Sequence, residues 1–141
     1  MKKDVYVDII GKQSFEENED VTEFYTKGTL YENEGHYYII YDENKNIGEY
    51  DCITKLDFYK NKVILTRSIN KQDKTYLVIE KGKRNVGNYN TNYGDLLVGI
   101  TARNVDFDIN ETGGNISFQY SLDVNYELVS NHDVKINIRE C

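Results

Sequence analysis

Ile116-Ser117-Phe118-Gln119-Tyr120-Ser121-Leu122-Asp123-Val124-Asn125-Tyr126-Glu127-Leu128 alternates apolar and polar residues without a break. A period of two is what a β-strand with one buried and one wet face requires, because successive side chains point to opposite sides of the backbone. The same alternation precedes it: Val105, Phe107 and Ile109 share one face, and Asp106 and Asp108 share the other. The stretch from Asp95 to Val129 therefore reads as two long β segments. They fold about Asn110-Glu111-Thr112-Gly113-Gly114, a cluster of turn-forming residues.

Working outward, the pattern predicts short strands along the whole chain. Val5, Val7 and Ile9 fall on one face of a first strand that Gly11 is expected to end. The acidic run Glu16 to Asp20 reads as a solvated connection, with room for one helical turn between Lys12 and Asp20. Val21 to Tyr31, a turn at Glu32 to Gly35, and His36 to Tyr41 form a hairpin signature in which Gly supplies the positive φ. His36 to Tyr41 is apolar on both faces, which implies a strand covered twice or a surface that meets a partner. Asp42 to Gly48 reads as a loop. Tyr50 to Tyr59 and Lys62 to Ser68 pair about Lys60-Asn61, with Val63, Leu65 and Arg67 on a common face. Thr75 to Glu80 and Arg84 to Thr91 flank the turn Lys81-Gly82-Lys83, and Val134, Ile136 and Ile138 mark the last strand.

No window carries a capped apolar stripe of helical period. With many strands and no helical layer, the sheet must close or fold on itself. The chain contains no Pro, a residue that often blunts exposed sheet edges, and closure removes those edges altogether. The expected fold is all-β: a single closed or nearly closed antiparallel up-and-down β-barrel of about 8–10 strands spanning residues 1–141, preferred to a sandwich.

At 141 residues the chain has one domain's length, and its net charge of -7 argues against nucleic acid or an anionic membrane as the main partner. Its 13 Tyr and 5 Phe, with no Trp, suit half-buried strands, since a Tyr ring packs while its hydroxyl stays wet or bonded. Two cysteines, Cys52 and Cys141, make neither a disulfide framework nor a metal site. Met1 to Asp8 lacks the apolar core of a secretory leader, so a cytoplasmic location is expected and an outer-membrane barrel is not. The glycosylation-like triplets at 110–112 and 115–117 then read as hairpin-tip residues.

Several pieces, in order, resemble the YwiB-like family of small bacterial proteins. They are Val7-Asp8-Ile9-Ile10-Gly11-Lys12-Gln13, Gly28 before Leu30-Tyr31, and Tyr38-Ile39-Ile40-Tyr41-Asp42-Glu43. Leu65-Thr66-Arg67-Ser68, Glu80-Lys81-Gly82, Tyr89-Asn90-Thr91-Asn92-Tyr93-Gly94, Thr101, and Gly114 through Tyr120 to Leu122 complete the set. The chain departs from the family at Asn92, where Pro is expected, and at Ile69, where Gly is usual. The resemblance implies a calycin-like (lipocalin-type) barrel and no established activity.

Arg67 is the most informative charged residue. If Val63 and Leu65 face the core, so does its guanidinium, which then needs a partner; Glu23, Glu43 and Glu80 are the candidates. It can serve as an anchor for an anion at a pocket, as a structural ion pair, or as a strand-end residue reaching solvent. Tyr89 and Tyr93, with Tyr37, Tyr38 and Tyr41, are candidate pocket walls. Asp106-x-Asp108-x-Asn110 lacks the Gly and the bidentate Glu of a calcium loop. His36 and His132 have no metal-ligand spacing, and neither a phosphate loop nor a nucleophile elbow is present. Nothing points to an enzyme, and neither metal nor cofactor is expected. The leading expectation is a small ligand, anionic if Arg67 holds it, bound in or at the mouth of the barrel by Arg67, Tyr41, Glu43, Tyr89 and Tyr93. The alternative is a filled barrel that meets a protein partner or a second copy through His36 to Tyr41.

Overall fold

A computed structural model describes residues 1–43, 52–69, 73–91 and 94–141. Ten strands follow in chain order: β1 Lys2–Phe15, β2 Asn18–Asn33, β3 His36–Asp42, β4 Cys52–Tyr59, β5 Lys62–Ile69, β6 Asp73–Glu80, β7 Arg84–Thr91, β8 Gly94–Asn110, β9 Gly113–Val124 and β10 Glu127–Glu140. They form one antiparallel sheet in the order β6-β5-β4-β3-β2-β1-β10-β9-β8-β7. Every neighbour pair but one is a hairpin or consecutive in sequence; β1 and β10 join the two halves through pairs such as Val7↔Ile138 and Ile9↔Ile136. The sheet curls until its ends meet: among the described residues a parallel bridge, Lys81↔Ala102, ties the residue after β6 to β8, and Gly82 N–H donates to the Ala102 carbonyl at 3.0 Å. The result is a nearly closed up-and-down barrel.

Alternation determines what lies inside. Val5, Val7, Leu30, Ile39, Leu56, Val63, Ile79, Val105, Ile116 and Ile138 are buried together. They fill the end of the barrel that holds the chain termini and the β2–β3 turn. Each fully buried large side chain contributes roughly 1.5–3 kcal/mol. Ile9, Phe24, Leu65, Leu77, Tyr120 and Val134 pack against this core but are only partly buried, because the described residues do not fill the opposite end of the barrel.

Three elements differ from what the sequence pattern predicts. Gly11 does not end β1, because it is paired on both sides, to Thr22 and to Val134. The acidic run is likewise strand, apart from the turn at Glu16-Glu17, where Glu16 takes φ 54. The cross-strand ion pair of Lys12 and Glu19, at 3.3 Å, fits this extended ribbon. Finally, the long alternation does not run as one strand to Leu128. The chain reverses at Asn125 and Tyr126, both with positive φ, as a two-residue primed hairpin turn requires. A bulge between Leu128 and Ser130 then resets the parity. Tyr126 is consequently 77% exposed and Leu128 59%, while Ser130 turns inward and is buried.

Candidate functional site

The unfilled end of the barrel holds a cavity of about 410 Å³. Its walls come from eight strands and are mostly aliphatic or aromatic, with Ile9, Phe24, Leu65, Leu77, Phe118 and Val134 among them. The charged groups gather on one side, where Glu43 and Arg67 stand beside Tyr41.

Strand register creates that cluster. Tyr41, Thr54 and Arg67 lie in one row across β3, β4 and β5. Arg67 follows Val63 and Leu65 on the inward face, as the alternation predicts, and Glu43 lies just beyond the end of β3. Arg67 Nη2 donates to Glu43 Oε1 at 2.9 Å. The Tyr41 hydroxyl donates to the same oxygen and the Cys52 thiol to Oε2, each at 3.5 Å. Arg67 Nε is buried and has no acceptor among the described residues.

The electrostatics follow from this geometry. Burial pushes the Tyr41 hydroxyl above its ordinary range, and the adjacent Glu43 charge adds to the effect. The Cys52 thiol is raised for the same two reasons, burial first and Glu43 second. Both groups therefore stay protonated and act as donors at neutral pH. For Arg67, burial works against the charge, but the attraction and hydrogen bond of Glu43 outweigh it and raise its pKa. Tyr120, a lining residue, stacks on His132 with ring centroids 4.6 Å apart. The His132 Nε2 and the buried Ser130 Oγ are 2.7 Å apart, and burial lowers the His132 pKa.

Of the residues singled out from the sequence, Arg67, Tyr41 and Glu43 come together here. Tyr93 lies outside the described residues, as does the side chain of Tyr89 on β7. Tyr37 packs against the core, whereas Tyr38 points outward; it stacks on Tyr31 at 4.8 Å beneath the Lys55 ammonium. Glu23 is exposed on β2, and Glu80 pairs instead with Lys83 at 3.3 Å. The outward side of His36 to Tyr41 is half-covered by its own neighbours: His36 stacks on Tyr59 at 4.5 Å and lies 3.2 Å from Asp57. Asp106 and Asp108 face solvent. No group of three or more His, Cys, Asp or Glu among the described residues is placed to hold a metal. Cys52 and His132 were not legible as parts of this region. Parity places Cys52 inward, but nothing local says that its thiol meets Glu43.

Three comparisons bear on this architecture. The family model described as a domain of unknown function, DUF1934, matches residues 7–136. The chain is 25% identical over 139 residues to the uncharacterized β-barrel protein YwiB of Bacillus subtilis (strain 168), covering 96% of this chain and 94% of that one. The crystal structure of the ywiB protein from Bacillus subtilis superposes with a TM-score of 0.84 at 21% identity, covering 99% of this chain and 93% of that one.

Proposed function

The chain belongs to the DUF1934 family, whose function is not established, and from its cavity we propose that it binds a small, largely apolar molecule with one hydrogen-bond-accepting group. The observation that carries this reading is the partly accessible Arg67 guanidinium, which among the described residues donates one bond, to Glu43, at the polar side of a mostly apolar cavity of about 410 Å³. The N–H groups that Glu43 does not take are donors that a ligand oxygen can meet. The volume and the mostly apolar walls with a few convergent polar groups suit small-molecule sites. The up-and-down order with a space at one end also supports the calycin-like character implied by the resemblance.

The test is binding of the uncharged dye Nile red, followed by fluorescence, together with native mass spectrometry of protein purified from its own host. Saturable dye binding that the cavity-filling variant Leu77→Trp abolishes, without loss of fold, is the expected result. Absence of both dye binding and a co-purifying molecule would overturn the reading.

The free thiols of Cys52 and Cys141 support a reducing, cytoplasmic setting. The outward Asp8, Lys27, Asp106, Gln119 and Lys135 support a barrel that faces water rather than lipid. A second reading, self-association, moves from His36–Tyr41 to the outer face of β4 to β6, where Ile53, Tyr59 and Tyr76 are exposed. Sedimentation equilibrium tests it: a dimer that Tyr76→Lys dissociates would support it, and a strict monomer at high concentration would exclude it.

A further inference from the structure

We infer that Glu43 makes the cavity select an uncharged hydrogen-bond acceptor over a carboxylate or phosphate, so that the ligand class is a neutral amphiphile such as an amide, ester, ketone or alcohol with an apolar body. This rests on the reading of the barrel as a binder of small molecules and names the chemistry of its ligand.

An inward arginine in an apolar cavity invites an anion, and here that place is already taken. The Glu43 carboxylate sits 2.9 Å from Arg67 Nη2 and also draws the Tyr41 hydroxyl and the Cys52 thiol, each at 3.5 Å. Three donors converge on this one carboxylate. Among the described lining residues Arg67 is the one cation and Glu43 the one anion, and their charges cancel. What remains open is the rest of the Arg67 guanidinium, which among the described residues donates only the one Nη2 bond to Glu43 and whose side chain is 36% accessible. A neutral oxygen accepts from it at no electrostatic cost. A carboxylate accepting the same bond would stand within a few ångströms of Glu43, with no second cation among the described lining residues to offset the repulsion. Glu43 thereby acts as a specificity-determining residue: it cancels the charge of Arg67 and leaves its hydrogen-bonding capacity.

The experiment compares two probes of the same length, octanamide and octanoate, by calorimetric titration at neutral pH. Wild-type protein is expected to bind octanamide at least about tenfold more tightly. In Glu43→Gln, which keeps the shape and removes the charge, the preference should reverse as Arg67 becomes free to pair with octanoate. Glu43→Asp should retain the wild-type order. The wild-type comparison stands without any variant, so a Glu43→Gln protein that fails to fold does not remove the test. Octanoate preferred by wild type, or an unchanged ratio in a folded Glu43→Gln, overturns the role of Glu43 while leaving ligand binding intact. Failure of wild type to bind octanamide, octanoate and Nile red alike overturns the binding reading itself, and this inference with it.

Discussion

Glu43 and Arg67 are 24 positions apart and meet at 2.9 Å across the intervening strand β4. Neither end of the pair is at a hairpin turn it shares with the other. Their contact is a product of register, which sets Tyr41, Thr54 and Arg67 in one row and leaves Glu43 just past the row's end. The pair is partly exposed on the cavity side, with side-chain accessibilities of 36% and 24%, which limits what it contributes to stability.

Arg67→Met should therefore cost only about 1–2 kcal/mol, chiefly because it leaves the Glu43 carboxylate beside apolar walls without its counter-charge. Urea denaturation measures this. A loss above about 4 kcal/mol would mean that the pair is a structural keystone and not the polar side of a cavity.

Stability should fall as pH is lowered below about 6.5, where an unfolded histidine gains its proton. Burial depresses the His132 pKa in the folded protein, so between the folded and unfolded values the unfolded chain binds more protons and is favoured. Thermal melts across this range should show a drop in Tm that His132→Gln reduces. An identical pH profile in the variant would place the effect elsewhere.

Two glycines with positive φ should respond very differently to Ala. At Gly114 (φ 152) an added Cβ would run into the Asp108 backbone carbonyl, whereas at Gly82 (φ 77) it would meet nothing within 4 Å. Gly82→Ala should cost about 1–2 kcal/mol of backbone strain alone. Gly114→Ala should cost more than about 3 kcal/mol, because backbone cannot step aside. Equal melting temperatures for the two variants would contradict the close packing of the β8–β9 tip.

Truncating the alternating stretch tests where its strand ends. Phe118 is buried, so Phe118→Ala should cost about 3–5 kcal/mol. Leu128 belongs to the same alternation but is exposed beyond the turn, so Leu128→Ala should stay within about 0.5 kcal/mol. Comparable losses at both sites, read by chemical denaturation, would restore a single strand running through to Leu128.

Local pattern alone determined the class of fold. Alternation assigned Val63, Leu65 and Arg67 to one face, Val105, Phe107 and Ile109 inward, and Asp106 and Asp108 outward, and each is so placed. Period two is a property of neighbouring residues, so it survives without knowledge of the rest of the chain. It fails where a turn and a bulge intervene, as at Tyr126 and Leu128, because an apolar residue carries the same signal in a strand and in a turn. The tertiary structure decided which of three carboxylates meets Arg67, that Cys52 joins them, that Tyr38 faces away, and that one end of the barrel is filled while the other encloses a cavity. Those outcomes depend on the register of strands two apart and on how tightly the sheet curls. Both are set by the sum of contacts around the whole barrel, and no stretch of sequence records them.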